Sequence, residues 1–459
     1  MGQVLSEPVT QKHSATGADE RLAFGVSEMQ GWRLTMEDAH AHVLDLDNKS
    51  DDPQTKLDSR RSFFAVYDGH GGATVARFAG ETVHHRMLGT DEYKAQKWED
   101  ALKRTFLATD EDMRSNTTFN GEPSGCTAVA IFVSEDQKIY CANAGDSRAV
   151  ISVNGHAEAL SHDHKPVNKG ENARIVAAGG FVEFGRVNGN LALSRALGDF
   201  EFKQNAGLKP EEQVVTANPD IIVHDPQDED EFFVIACDGI WDVLSSQHVI
   251  DYVRQGIKAR KALDQICEEM MDHCLAPDSD CSGVGCDNMT VLVVAILRGK
   301  TMEEWYDSIA QKMEKGVGYA TPTIDQLPMP FKNNRSSQGM GSGGGAGNSL
   351  GQVLSGTSLL YNRQGGGEGE EDSDDDDNLL SRLQSALEQQ GIHIVEPGTE
   401  EGEQDGAHIE EEDSDAEMGT AGQAQKSNTS ADANGEVSHP AVSMEGLTDK
   451  SEDPLRTTT

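Results

Sequence analysis

Four short apolar runs in this chain each meet an aspartate in the company of glycine. Phe63-Phe64-Ala65-Val66-Tyr67 precedes Asp68-Gly69-His70-Gly71-Gly72, and Ile139 to Ala144 precedes Gly145-Asp146. Phe232 to Cys237 precedes Asp238-Gly239, and Gly285-Cys286-Asp287-Asn288 leads into Met289 to Leu297. Runs of this length, rich in β-branched and aromatic residues, read as buried strands, and the glycines let backbone approach a ligand closely. A carboxylate at the end of a buried strand is costly unless a cation neutralises it. One such aspartate is accounted for by a cap or a turn. Four of them, with a fifth acidic site at Glu37-Asp38, point to strand ends converging on hard metal ions.

The charge is unevenly placed along the 459 residues. Residues 321–459 hold 27 Asp/Glu against 7 Lys/Arg, so this segment carries −20 of the formal −41. It is rich in glycine (Gly341-Ser342-Gly343-Gly344-Gly345) and poor in aromatics. Low hydrophobicity with high charge cannot offset chain entropy, which predicts a disordered acidic tail. The acidic balance argues against a sequence-independent grip on DNA or RNA, which needs Lys and Arg on phosphates. No apolar stretch approaches the length of a membrane span. Of the seven cysteines several lie in or beside apolar runs, as Cys126, Cys141 and Cys237 do. That fits a reducing compartment, hence the cytoplasm and nucleus. Cys274, Cys281 and Cys286 lie near His273, but their spacing matches none of the common zinc pairs, so they are read as free thiols.

Four segments are expected: an arm over 1–22, a catalytic domain over 23–298, a helix within 299–320 and the tail over 321–459. The opening Met1-Gly2-Gln3-Val4-Leu5-Ser6 fits the myristoylation pattern at Gly2. A single acyl chain would give only weak membrane association. Helical spacing recurs at Ala73–Met87, Lys97–Met113, Asn172–Ala178, Ser246–Val253, Ala262–Cys274 and Met302–Lys315. Thr127–Val133, Lys138–Ala144 and Arg148–Val153 read as strands, with Asn154-Gly155 as a hairpin turn. Strands joined by tight turns mean antiparallel sheets, and helices in separate blocks mean an α+β fold.

Several further segments complete a set: Gly31-Trp32-Arg33-Leu34-Thr35-Met36-Glu37-Asp38-Ala39-His40, Ser124-Gly125-Cys126-Thr127, Gly145-Asp146-Ser147-Arg148 and Ala196-Leu197-Gly198-Asp199. In order along roughly residues 23–298, these and the aspartate motifs resemble the metal-dependent protein phosphatases of type 2C. The likeness is closest to fungal-type serine/threonine members with an acidic C-terminal extension. The resemblance implies a four-layer α-β-β-α sandwich, two antiparallel sheets with a pair of helices on each outer side. It implies two Mg²⁺ or Mn²⁺ ions in a cleft at one end, with a weaker third. In that scheme Asp68 bridges the two ions with help from the Gly69 carbonyl, Asp238 and Asp287 complete the other ion, and Glu37 holds a metal water. Asp146 joins Asp238 on the third ion. Asp38, Asp199 and Asn288 support these ligands, and a bridging hydroxide attacks the phosphorus.

Elementary chemistry agrees with this scheme. All-oxygen carboxylate ligands favour Mg²⁺ or Mn²⁺ over zinc or copper. Arg33 can fork two phosphate oxygens, although a local ion pair with Glu37 or Asp38 also fits its position. His70, two residues past Asp68, is placed to protonate the departing serine or threonine oxygen. His162–Asn190 matches the family's flap beside the site, and His162 and His164 within it are read as non-catalytic. The expected partners are phosphorylated proteins, MAP-kinase-type kinases of stress cascades among them, for a monomeric enzyme with no nucleic-acid role. A catalytically weak binding module for phosphoproteins is the alternative; loss of Asp68, Asp238 or Asp287 would have signalled it, and all three are present. A metal-dependent nuclease would share the carboxylates but would want a basic groove.

Overall fold

The apolar runs alternate their side chains between two buried faces. In Ser62–Tyr67, the side chains of Phe63, Ala65 and Tyr67 enter one core while Phe64 and Val66 enter another. In Asp230–Ala236, Phe232, Val234 and Ala236 face a third cluster, and Phe233 and Ile235 join the cluster that holds Phe64. The strand period of two makes this division automatic, and it requires packed material on both sides of each sheet. The computed structural model describes residues 4–47, 60–279, 283–327 and 331, and meets that requirement with two sheets face to face and helices outside.

In chain order the strands are β1 (Val4–Ala18), β2 (Leu22–Arg33), β3 (Ala39–Val43), β4 (Ser62–Tyr67) and β5 (Gly69–His70). Next come β6 (Gly125–Cys126), β7 (Ala128–Val133), β8 (Ile139–Ala144), β9 (Arg148–Val153) and β10 (His156–Ala159). The short β11 (Val182–Glu183), β12 (Arg186–Val187) and β13 (Leu197–Gly198) precede β14 (Asp220–His224), β15 (Asp230–Ala236) and β16 (Met289–Ile296). A six-stranded sheet runs β1-β2-β16-β15-β9-β10, and a five-stranded sheet runs β14-β8-β7-β4-β3. Every pairing within them is antiparallel. Between the sheets lies a core of Phe24, Val26, Phe64, Val129, Ile131 and Phe233 with their neighbours. Helices Thr74–Gly89 and Trp98–Ser115 cover the outer face of the smaller sheet. The α+β four-layer sandwich is therefore the fold. The β9–β10 hairpin turns at Asn154 (φ 49°) and Gly155 (φ 83°), the double left-handed geometry that Asn-Gly favours.

Three boundaries differ from the sequence reading. The expected arm over 1–22 is, from Val4 on, not apart from the domain: β1 forms the outer strand of the larger sheet, paired to β2 through Ala18↔Ala23 and Lys12↔Met29. Most of its side chains are exposed, so no apolar alternation marked it. Polar contacts anchor it, including Ser14 Oγ to Glu268 Oε1 at 2.6 Å and the Lys12–Asp272 ion pair. Pro8 falls where the register slips between Val4 and Val9, an irregularity that an edge strand tolerates.

Secondly, the larger sheet carries three helices, not two. Ser246–Lys258 and Leu263–Cys274 are joined by Met302–Lys315, whose Trp305, Tyr306 and Ile309 are buried in the same cluster. This helix begins with a Thr301–Glu304 capping box and ends at Gly316 in the left-handed region. Thirdly, order continues past 320. Fully buried Arg254 pairs with Glu231 and donates to the Tyr319 carbonyl (3.1 Å) and Thr321 Oγ1 (2.6 Å). Leu327 is buried in the helix-side core. Gly2 and the acidic tail lie outside the described residues.

Trp305→Ala should cost about 3–5 kcal/mol, the usual penalty for emptying a large buried aromatic site. Urea unfolding would read it. A chain ending at Phe331 should keep the midpoint of the full chain, while one ending at Lys300 should lose as much as Trp305→Ala or more.

Candidate active site

Register alone brings the aspartates together. Tyr67 is opposite Ala39, so Asp68 at the end of β4 and Asp38 before β3 are neighbours. Ala236 is opposite both Val291 and Arg148, which sets Asp238 beside Asp287 on one side and Asp146 on the other. Met289 is opposite Met29, which carries Arg33 at the end of β2 to the same rim. Ala144 is opposite Ala128, so the Asp146 turn also meets the start of β7. One end of the sandwich thus gathers Arg33, Glu37, Asp38, Asp68, Asp146, Asp238 and Asp287. Two glycines permit the approach of backbone to backbone. A Cβ on Gly69 would lie 2.1 Å from the Glu37 carbonyl oxygen, and one on Gly239 would lie 2.2 Å from that of Asn288.

Such crowding raises the proton affinity of the carboxylates. Burial lifts Asp68 well above the carboxylate range, and the charges of Asp238, Asp38, Asp287 and Asp146 lift it further. Burial does the same to Asp238, reinforced by Asp146, Asp287 and Asp242 and opposed by Lys165. Burial pushes Asp38 up to about 7; the Thr290 hydroxyl, which donates to its Oδ2 at 2.7 Å, pulls the other way, and Asp287 adds to the rise. The second oxygens of Asp38 and Asp146 are buried with no hydrogen-bond partner. Unpaired hard oxygens amid mutually repelling carboxylates fit divalent Mg²⁺ or Mn²⁺. Asp38, Asp68 and Cys237 offer ligand atoms within 4.8 Å of one another. Burial raises the Cys237 thiol well above its usual value, and its sulfur is engaged with the Asn288 carbonyl and the Thr290 N–H. With that sulfur already engaged, the unpaired carboxylate oxygens are the donors that remain. Cys274 and Cys286 are buried free thiols, while Cys281 lies outside the described residues.

Around this cluster each remaining side chain is held by a specific contact. Arg33 Nη2 donates to Asp287 Oδ2 at 2.5 Å, so its ion pair is with Asp287 and not with Glu37 or Asp38. Asn288 is a brace: its Oδ1 accepts from the Glu37 N–H (2.9 Å) and its Nδ2 donates to the carbonyls of Gln30 and Thr35. Asp199 meets His70, with Nε2 2.8 and 2.9 Å from the two carboxylate oxygens. Burial alone would lower the His70 pKa, but the Asp199 hydrogen bond and charge outweigh it and the net shift is upward.

Sequence reading passed over Asp242 and Lys165, which both act on the cluster. Asp242 follows Asp238 by one helical turn, a spacing that could have been read from Asp238-Gly239-Ile240-Trp241-Asp242. Lys165 forms an ion pair with Asp146, an inter-element contact that no local pattern announces. The flap comprises helix Lys169–Ala177 and the β11–β12 hairpin. Buried Glu171 ties it down, bonded by Arg174, Arg195 and Ser194.

With this geometry established, comparison with known proteins defines the class. Residues 22–282 match the family model described as protein phosphatase 2C, so the chain belongs to that family of metal-dependent protein phosphatases. The protein phosphatase 2C homolog 2 of Hypocrea jecorina is 55% identical over 322 residues, spanning 70% of this chain and 73% of that one. Its counterpart in Schizosaccharomyces pombe is 50% identical over 323 residues and is covered to 86%. Among solved structures, a phosphatase of Toxoplasma gondii superposes with a TM-score of 0.53 at 25% identity, over 63% of this chain and 96% of that one.

Asp68→Asn should raise the melting temperature in EDTA, because it removes a carboxyl whose raised pKa costs stability at neutral pH, and should abolish turnover. Thermal melts with and without Mn²⁺ read both the relief and the lost metal stabilisation. A separate titration concerns the flap. Burial opposes ionisation of Glu171, but the Arg195 hydrogen bond and the Arg174 and Arg195 charges hold its pKa down to about 2, from 4.5. Its contribution, on the order of 3 kcal/mol at about 1.4 kcal/mol per unit, is complete above pH ~4.5 and fades as pH falls toward ~2. Glu171→Gln should speed hydrogen exchange across 169–191 at neutral pH, and the gap from wild type should narrow through that acid window.

Proposed function

We propose that this chain hydrolyses phosphoserine and phosphothreonine in proteins, and that Asp68, Asp238 and Asp287 would hold Mg²⁺ or Mn²⁺, Glu37 would do so through water, and Asp146 would help to hold a further ion. The observation that carries the reading is the convergence of buried, mutually repelling carboxylates beside Arg33 and a His70–Asp199 pair. Divalent ions, when bound, cancel phosphate charge and acidify water. Arg33 presents a guanidinium whose remaining donors suit two phosphate oxygens. Asn288 and Gly69 keep Glu37 beside Asp68. Asp199 engages His70 at Nε2, which leaves Nδ1 as the nitrogen that gives its proton to the departing alkoxide. The raised His70 pKa favours the protonated, donating form.

Finer assignments rest on the family likeness. We place phosphorylated kinases of stress-activated cascades among the substrates, and the enzyme in the cytoplasm and nucleus as a monomer. Asp238→Ala, used as a substrate trap and read by mass spectrometry, identifies the substrates; traps empty of kinases would remove that assignment.

Turnover of a phosphothreonine peptide should need added Mg²⁺ or Mn²⁺ and stop in EDTA. His70→Ala should slow a phosphoserine peptide ~10²–10⁴-fold and p-nitrophenyl phosphate much less, since nitrophenolate leaves without a proton. Asp199→Asn should show the same substrate split at smaller amplitude. Equal losses on both substrates would remove the general-acid role.

A further inference from the structure

Besides Arg33, a second cation of the chain already stands in the acidic cluster. The Lys165 ammonium contacts Asp146 Oδ2, from a lysine side chain 40% exposed to a carboxylate only 4% exposed. Asp146 Oδ1 is buried without a hydrogen-bond partner. Asp238 and Asp242 also act on the same ammonium, so it answers three carboxylates at once. A lysine charge is compact and rides on a flexible stem, which suits it to leave, whereas the backbone that carries it is fixed.

That fixing comes from His164, the preceding residue. Its N–H donates to the Gly145 carbonyl (2.9 Å), and its Nδ1 accepts from the Gly145 N–H (3.2 Å). Because Nδ1 is an acceptor, the ring proton is on Nε2, which meets Asp220 Oδ2 at 3.0 Å. Asp220 is bonded in turn by Arg195, which also holds Glu171 of the flap. The entry to the flap is thus latched to the residue before Asp146, and His164, unassigned by the reaction, provides the latch. Only the Lys165 side chain is free to exchange.

We propose that Lys165 is the resident counter-ion of Asp146, which a divalent cation must displace, making it the residue that sets cation affinity at the outer position of the centre. An ammonium and a divalent ion cannot share one carboxylate at close range without strong repulsion. Displacement frees a positive side chain at the mouth of the cluster, at the base of the flap, where an anionic phosphoprotein would enter. The proposal rests on reading the cluster as a metal centre, and its test separates the two.

Metal-stripped full-length protein is titrated with Mn²⁺ by calorimetry, for wild type, Lys165→Met, Lys165→Arg and Asp146→Asn. If the pair is closed about nine-tenths of the time, the weakest ion should bind ~10-fold more tightly to Lys165→Met. Lys165→Arg, which keeps the charge, should stay near wild type. Asp146→Asn should lose that ion, alone or combined with Lys165→Met, while the tighter ions bind as before. Unchanged or weaker binding of the last ion to Lys165→Met, with the tighter ions intact, would show that the lysine is a strut and overturn the proposal. Absence of the tighter ions in wild type would instead overturn the metal-centre reading itself.

Discussion

Repulsion among buried carboxylates is the constraint around which this molecule is built. Asp38, Asp68, Asp146, Asp238 and Asp287 sit at one rim of a sandwich, beyond the apolar core between its sheets. Left alone, such a set would spread apart or take up protons. It cannot spread, because each aspartate lies within two residues of a strand end and those strands, edge strand β3 apart, are paired on both sides; its proton affinity rises instead. The two sheets are held by alternating apolar residues over their whole length, so stability made along the strands resists a strain concentrated at their ends.

Register is the means by which that strain is kept in place. A slip of one residue in β4 would move Phe64 and Val66 out of the central core and carry Asp68 away from Asp38. The same holds for β15 and β16, whose pairing Ala236↔Val291 sets Asp238 beside Asp287. Core packing and site geometry are therefore one requirement read at two places. Glycines at 69 and 239 answer the same need, since a Cβ there would push the Glu37 and Asn288 carbonyls away.

Much of this was legible in the residues. Buried apolar strands ending in Asp-Gly, the Asn154-Gly155 turn and the capped helix Met302–Lys315 are local signals, and the structure holds each of them. What was missed depends on partners distant in sequence. β1 reads as a polar arm because its stability comes from the β2 edge and from Ser14 and Lys12 reaching the helix at Glu268 and Asp272. The extension beyond 320 depends on Arg254, more than sixty residues upstream. Lys165 looked like an ordinary flap residue for the same reason. His70 was singled out as a candidate, but its partner Asp199 is 129 residues away.

The cations of the site expose a further order in its chemistry. Arg33 is paired with Asp287, Lys165 with Asp146 and His70 with Asp199. On the reading of Asp287 and Asp146 as ligands, a divalent ion competes with the first two pairs and leaves the third intact. Arrival of the tighter ions would then release the guanidinium, and the weakest ion the ammonium, toward the phosphate, while His70 keeps its Asp199 partner. A dianionic phosphate meeting the metal-free rim would face carboxylates whose neutralising partners are already engaged. On that reading metal precedes substrate, and the chain's own ion pairs are what would impose that sequence.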